Sequence, residues 1–207
     1  MSDDDRCTAP CVLEERVGAD VFRRILTLLA RGRPVTTAEV AAFVGLPADR
    51  TEALLRAEPG TDWDEQGRLA GFGITLAPTA HRLVLGGQSL HTWCAMDTLF
   101  FPVLLGLPAS VASTCPATGE PIRIELAPGA LTLAEPAEVV VSELYPRGPI
   151  ADIRGTVCNE GHFFASPAAA AGWLDAHPDG DTWPVEKAFQ TAVAHYRDQP
   201  GGGSTPT

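Results

Sequence analysis

Basic residues are scarce in this sequence. The chain of 207 residues carries 15 Lys and Arg against 26 Asp and Glu, which gives a formal net charge of −11. Phosphate backbones and anionic membrane surfaces attract cationic proteins, so this charge argues against nucleic acid or a membrane as a partner. Hydrophobic residues make up 45% of the chain, which is the composition of an ordinary globular protein.

A long uninterrupted apolar run is also missing. The longest run begins near Leu99 and is broken by Pro102, Gly106 and Pro108, so it is too short to span a bilayer. The acidic start MSDDDRC is not followed by the apolar segment of a secretory signal. We therefore expect a cytoplasmic location.

Closely paired metal-binding cysteines of the Cys-x-x-Cys type do not occur. Five cysteines are present, and their odd number in a reducing compartment argues against a disulfide framework. Such cysteines are usually small buried hydrophobes, and the alternatives are nucleophile, metal ligand or redox thiol. Cys7 and Cys11 could hold a metal transiently, but we interpret them as incidental in a mobile N-terminal tip, residues 1–12.

The sequence after this tip has the pattern of a winged helix-turn-helix. Apolar residues at helical spacing predict one helix that ends at Gly32 and Pro34, and two further helices follow over residues 35–60. Thr36 or Thr37 is expected to cap the second helix and Asp49 the third. A hairpin around Gln66-Gly67 would form the wing. We predict a three-helix, winged-helix-like module over residues 13–78.

The surface that would meet DNA in such a module is acidic. Between residues 46 and 70 there are three arginines and six acidic residues: Arg50, Arg56, Arg68, Asp49, Glu52, Glu58, Asp62, Asp64 and Glu65. This excess would repel phosphates, so we expect a scaffold module that covers the second domain.

Residues 79–199 predict an α+β domain of small mixed or antiparallel sheets with helices. Alternating or apolar segments predict strands within residues 81–87, 109–115, 121–127, 137–145 and 153–166. Helices are expected at residues 89–106, capped by Ser89 or Thr92, at 166–178 and at 185–199. Ser166 and Pro167 form an N-cap and N1 pair. Residues 200–207 predict a flexible tail.

A cysteine and an aspartate lie three residues apart at the head of the central apolar helix. Positions i and i+3 share one helix face, so Cys94 and Asp97 can reach one small pocket. The helix N-terminus favours a thiolate at Cys94, while apolar neighbours favour a protonated Asp97. The pair can supply a soft nucleophile beside a proton donor. The alternative is that Cys94 only packs and Asp97 is exposed or caps a backbone amide.

A second thiol, Cys158, lies at the predicted end of a strand before the run His-Phe-Phe. Thiolates prefer soft metals, and mercury(II) commonly takes two of them in a near-linear arrangement. Thiolates bound to mercury push electron density onto a carbon attached to it, and a nearby acid can then protonate that carbon. No redox cofactor is needed for this chemistry.

These residues resemble the organomercurial lyase (alkylmercury lyase) family. The similar motifs are TWCAMDTLFFPVLLG, VASTCPATGEPIRI and VCNEGHFFAS, in that order. LARGRPVTTAEVAAFVGLP and WDEQGRLAGFGITL resemble the family's winged-helix-like module. The resemblance covers nearly the whole chain except both tips.

The resemblance implies a function and a role for each site residue. Cys94 would attack mercury first, Cys158 would be the second mercury ligand, and Asp97 would shuttle the proton and contact the metal. Cys115 would be mainly structural. The implied activity is protonolysis of organomercury thiol adducts to a hydrocarbon and Hg(II), as part of mercury detoxification. It needs exogenous thiols but no cofactor, and it passes Hg(II) to mercuric reductase.

Two other interpretations stay open at this point. A zinc site could combine Cys94, Cys115, Cys158 and a histidine, although structural zinc usually uses paired cysteines. A thiol-based metal-binding or metal-sensing regulator would suit the helix-turn-helix, but not its acidic surface. Among the histidines, His91 would lie one helical turn before Cys94 and could tune it. His162 is expected to pack or to cap a backbone group.

Overall fold

The first part of the chain is helical, as the sequence predicts. The computed structural model describes residues 9–197. Its first four helices are α1 (Ala9–Val17), α2 (Ala19–Leu29), α3 (Thr37–Val44) and α4 (Ala48–Ala57). The predicted first helix is divided between α1 and α2 at Gly18, whose φ of 89° favours glycine.

The caps of these helices only partly follow the prediction. Thr36 caps α3 through a capping box in which Thr36 Oγ1 accepts a bond from the backbone N of Glu39, and Glu39 bonds back to the backbone N of Thr36. Asp49 is not the cap of α4, because that helix begins one residue earlier, after Pro47.

Cys11, which we assigned to an N-terminal tip, lies in the first helix. Residues 9–12 lie in α1, and Cys11 is buried. The apolar face of α1 packs against the central helix, which explains why this turn is ordered. Cys7 lies outside the described residues.

One antiparallel sheet of eight strands crosses from the wing into the second region. Its spatial order is β1-β2-β3-β5-β4-β6-β7-β8. The bounds are β1 Asp62–Trp63, β2 Leu69–Phe72, β3 Ile74–Thr75, β4 His81–Leu85, β5 Gln88–Thr92, β6 Ala109–Thr114, β7 Pro121–Ala127 and β8 Ala130–Glu135. The predicted wing hairpin is present as β1 and β2. Residues 88–92 form a strand, so neither Ser89 nor Thr92 caps the following helix.

A second sheet of three strands completes the α+β fold. Its antiparallel order is β10-β9-β11, where β9 is Val140–Leu144, β10 is Phe163–Phe164 and β11 is Gly180–Pro184. The remaining helices are α5 (Ala95–Leu105), α6 (Ile153–Thr156), α7 (Pro167–Ala176) and α8 (Val185–Arg197). Ser166 caps α7 with Pro167 at its start, as predicted. Cys158 begins a 3₁₀ helix, Cys158–Glu160, and does not end a strand.

Helix α5 is the centre of the core. It is apolar on nearly all sides, and a helix of that kind must be covered all round. It packs against α8, α1 and α2, and against strand β9 of the small sheet. Phe101 of α5 meets Phe22 of α2 edge to face, with ring centroids 5.9 Å apart. The first turn of α5 is therefore held rigidly between the two sheets and the helices. None of the helices within residues 9–197 combines the length and the apolarity that crossing a bilayer requires.

Candidate active site

The first turn of α5 fixes a thiol beside a carboxyl group. Cys94 is the N-cap, and its Sγ accepts a hydrogen bond from the backbone N of Asp97 at 3.4 Å. The backbone N of Cys94 in turn donates to Asp97 Oδ2 at 3.3 Å. This is a capping box in which cysteine stands where serine or threonine is usual. The predicted proximity of Cys94 and Asp97 is thus confirmed, and the same bonds orient both groups.

Backbone contacts bring Cys158 to this turn from a distant part of the sequence. The backbone N of Ala95 donates to the carbonyl of Gly161 at 3.0 Å, which ties the end of the 3₁₀ helix to the start of α5. Ser142 of β9 holds the same segment, because its Oγ donates to the carbonyl of Glu160 at 3.0 Å and accepts from the backbone N of His162 at 2.9 Å.

The three groups converge in one buried cluster. Cys94 Sγ, Cys158 Sγ and a carboxylate oxygen of Asp97 all lie within 4.8 Å of one another. Each residue is only 1% exposed. Two soft sulfur donors and one oxygen at this separation can surround a single thiophilic ion.

Burial makes Asp97 a weak acid. Loss of solvent raises its pKa to about 7, against the opposing effects of its hydrogen bonds with Cys94 and of the positive charge of Arg154. Asp97 Oδ1 is buried and has no hydrogen-bond partner in the described part of the chain. The carboxyl group can therefore be protonated or ionised near neutral pH, and Oδ1 has no hydrogen bond that must first be broken.

The expectation of a Cys94 thiolate was wrong. Burial, the neighbouring Cys158 thiol and the charge of Asp97 raise the pKa of Cys94 well above its ordinary value. The contact with Cys94 lowers the pKa of Cys158, but burial and the charges of Asp97 and Glu143 raise it further, so its pKa is also above the ordinary value. At neutral pH both thiols carry their protons.

An ionic network joins the wing to this site. Asp62 of β1 accepts from Arg154 Nη1 at 2.5 Å, from Thr75 Oγ1 at 2.6 Å and from Trp93 Nε1 at 3.1 Å. The Arg154 guanidinium also stacks over the Trp93 ring, 4.9 Å from its centroid. Because Trp93 directly precedes Cys94, the network braces the reactive thiol from the side of the winged module.

Several of these supporting residues were not identified from the sequence. Glu143, which is 1% exposed, acts electrostatically on both thiols from β9. An acidic residue inside the apolar strand VVSEL was the available signal, because buried carboxylates in such strands need a reason. Arg154, Ser142 and Gly161 gave no signal that could be recognised without the fold.

The histidines stand outside the cluster. His91 lies in β5, not one helical turn before Cys94, and its Nδ1 accepts from the backbone N of Thr79 at 3.2 Å. His81 is buried against Ser113 Oγ at 3.0 Å, and burial lowers its pKa to about 3. The His162 ring packs 6.2 Å from that of His81.

Cys115 also lies outside the cluster, in the turn after β6. Its backbone N donates to the carbonyl of Glu120 at 2.9 Å and its own carbonyl accepts from Gly119. Within the residues that the structure describes, the group of three or more potential metal ligands consists of Cys94, Asp97 and Cys158, without Cys115 or a histidine. This geometry does not support the four-ligand zinc site.

Two family models match the chain. Residues 74–197 match the model described as alkylmercury lyase, and residues 14–73 match the helix-turn-helix domain of alkylmercury lyase. The chain belongs to the alkylmercury lyase family. Members of the alkylmercury lyase family are enzymes that cleave the carbon–mercury bond.

Curated alkylmercury lyases are similar over most of their length. The alkylmercury lyase of Streptomyces lividans is 47% identical over 170 residues, which cover 82% of this chain and 79% of that protein. The alkylmercury lyase of Bacillus cereus is 41% identical over 188 residues, covering 89% and 86%. That of Pseudomonas putida is 44% identical over 171 residues, covering 83% and 80%.

A solved structure has the same fold. The mercury-bound form of MerB2 matches with a TM-score of 0.75 and covers 91% of this chain and 96% of its own. At 21% identity this likeness speaks for the fold alone. It extends across both the helical module and the α+β region.

Proposed function

We propose that this chain releases a hydrocarbon and Hg(II) from organomercury compounds by protonolysis. Cys94 and Cys158 bind mercury through sulfur, and Asp97 carries the proton. One observation carries the proposal: two thiols and a carboxyl of raised pKa share one buried cluster, within 4.8 Å of one another. The mercury is substrate and then product in this reaction.

The first step exchanges thiols on mercury. The substrate arrives as RHg–SR′, and Cys94 sulfur forms a bond to mercury while the carrier thiol leaves. Because Cys94 is protonated at rest, its proton departs with the carrier as R′SH. The product of this step is RHg–S bound to Cys94, with mercury placed beside Cys158 and Asp97.

The second step moves a proton from sulfur to carbon. Asp97 accepts the proton of Cys158, whose sulfur then bonds to mercury. The added thiolate pushes electron density onto carbon, and Asp97 returns the proton to it, so that R–H leaves and Hg(II) stays on two sulfurs. A carboxyl with a pKa near 7 can both take and give a proton at neutral pH. The scheme draws on no bound cofactor.

Release of the product completes the cycle. Free cellular thiols would displace Cys94 and Cys158 from Hg(II) and return a proton to each. We propose mercuric reductase as the acceptor of this ion, and mercury detoxification as the process.

Headspace gas analysis tests the proposal. With excess thiol, the chain should convert methylmercury to methane and phenylmercury to benzene. Cys158→Ser should lower both rates at least ~100-fold while circular dichroism stays unchanged, because the second thiolate is lost. Cys115→Ser is the matched control and should keep most of the activity. Wild-type rates in Cys158→Ser would contradict the assignment.

The alternative of a metal-sensing regulator is separated by the same assay. A sensor would bind mercury but release no hydrocarbon. Family membership and the proton-carrying Asp97 favour the enzyme.

A further inference from the structure

A second cluster of thiol, imidazole and carboxyl groups lies between the first and last helices. Cys11 Sγ of α1 is 3.8 Å from His195 Nε2 of α8. The same nitrogen lies 3.2 Å from Glu14 Oε2, one helical turn after Cys11. Cys11 is 8% exposed and the Glu14 side chain 9%, whereas the His195 side chain is 33% exposed. The donors are therefore shielded, with one edge open to solvent.

The separation of sulfur and nitrogen suits two ligands of one ion. Bonds of roughly 2.3 Å to sulfur and 2.1 Å to nitrogen place the donors roughly 3.6 Å apart at a tetrahedral angle and about 4.4 Å apart when opposite. The observed 3.8 Å lies within this range, so little movement is required. Hydrogen bonds with Cys11 and Glu14 raise the pKa of His195 to about 10, so an ion that binds here displaces one proton from His195 and one from Cys11. The resulting thiolate and imidazole together favour soft or borderline ions over hard ones. The Glu14 carboxylate adds a negative charge beside them.

Tyr196 of α8 borders the same cluster. Its hydroxyl is buried, and the residue is 3% exposed. Besides burial, the charges of Glu14 and Cys11 raise its pKa, so the hydroxyl lies in the field of this cluster.

We propose that Cys11 and His195 form a second Hg(II) site, separate from the Cys94–Cys158 pair, with Glu14 as the neighbouring counter-charge. The inference rests on the proposed function, because Hg(II) is the ion that the reaction releases. The charge of Asp97 also raises the pKa of Tyr196. Phe100, one turn after Asp97, packs on His195 with the ring centroids 6.4 Å apart. The second site therefore lies along α5 about one helical turn from Asp97, close to the place where the product forms.

Mercury X-ray absorption tests this proposal without any turnover. The full chain carries Cys7→Ser, Cys94→Ser, Cys115→Ser and Cys158→Ser, so that Cys11 is its only thiol. It is loaded with one equivalent of mercuric chloride. We expect one sulfur and one nitrogen ligand. The matched control keeps Cys115 in place of Cys11 and should show sulfur with chloride.

Competition with iodide gives a second measurement. Adding His195→Gln to the Cys11-only chain should reduce the iodide concentration for half-release of mercury at least tenfold. An unchanged value, or a sulfur–halide pair without nitrogen, overturns the proposal. Should the four-fold variant not fold, the same two measurements apply to Cys94→Ser/Cys158→Ser with and without His195→Gln.

A parallel measurement loads the same variants with zinc chloride alone. Retention of zinc by the Cys11–His195 pair in preference to mercury would assign the site to zinc and overturn the mercury assignment. The proposed active-site thiols are absent from every variant used, so a negative result leaves the lyase assay untouched. Conversely, a wild-type chain that fails to release hydrocarbon contradicts the proposed function and not the binding geometry.

Discussion

Gly161 lies so close to Cys94 that a Cβ at position 161 would stand 2.8 Å from the Cβ of Cys94 and 3.6 Å from its sulfur. The Cβ of Cys94 is anchored to the backbone at the start of α5 and cannot turn away. Only glycine therefore allows the segment that carries Cys158 to approach the reactive turn this closely.

Gly161→Ala should separate the two thiols. The added methyl must push the 3₁₀ helix away from Cys94, and we expect hydrocarbon release to fall at least ~10-fold, since a shift of about 1 Å in reacting groups is costly. The rate is measured by headspace analysis with saturating phenylmercury. Gly172→Ala is the control, because a Cβ there meets nothing within 4 Å. Equal rates in both variants would contradict the role given to Gly161.

Asp97→Asn should separate mercury binding from bond cleavage. The amide oxygen can still accept from the backbone N of Cys94, so the cap survives, but the proton carrier is lost. We expect hydrocarbon release to slow by roughly 10²–10⁴-fold. Mass spectrometry of the native protein should find the intact organomercury group bound. A burst of benzene at the wild-type rate would show that another group donates the proton.

Asp62→Ala should weaken the link between the wing and the site. The change removes the acceptor for Arg154, Thr75 and Trp93, and we expect a loss of about 2–3 kcal/mol in the free energy of unfolding in urea. Turnover should fall as well. Glu52→Ala removes an exposed ion pair with Arg56 and should cost less than about 1 kcal/mol. Similar losses in both variants would mean that the half-buried network around Asp62 has no special role.

His81→Gln should flatten the acid side of the stability profile. The folded chain keeps His81 neutral down to a pKa of about 3, whereas the ordinary value is 6.5. Between these values the unfolded chain binds more protons, so stability falls as the pH is lowered through this window. The variant should lose less unfolding free energy than the wild type between about pH 7 and about pH 5. His162, whose pKa is also lowered, stays in both proteins. Parallel profiles would contradict the assignment.

The sequence predicts local features of the site better than distant ones. The spacing of Cys94 and Asp97 places them together on any helix that begins there, and the capping box does so in the structure. The approach of Cys158 depends on bonds from Gly161 and Ser142 to other elements, which no local pattern reveals. Resemblance to the family, not residue spacing, supplied that part of the prediction.

The missed strands have physical reasons. Gly180–Pro184 forms β11 although Gly, Asp and Pro disfavour strands, because pairing along the whole of β9 compensates. Gln88–Thr92 is mostly polar and lies just before α5. Its alternation of exposed and buried residues is short, so the sequence pattern extends the predicted helix over this strand. The raised pKa of Cys94 was missed for a similar reason, since burial depends on helices far away in sequence.

The large sheet makes the two matched segments a single folding unit. The family models meet between residues 73 and 74, inside the hairpin that joins β2 to β3, and β3 pairs onward with β5. A cut at this point would leave a strand without its hydrogen-bonded partner on each piece. It would also expose Phe22 and Phe101, which pack against each other. Grafting the helical segment of one relative onto another should therefore succeed only when the partner β3 strand travels with it.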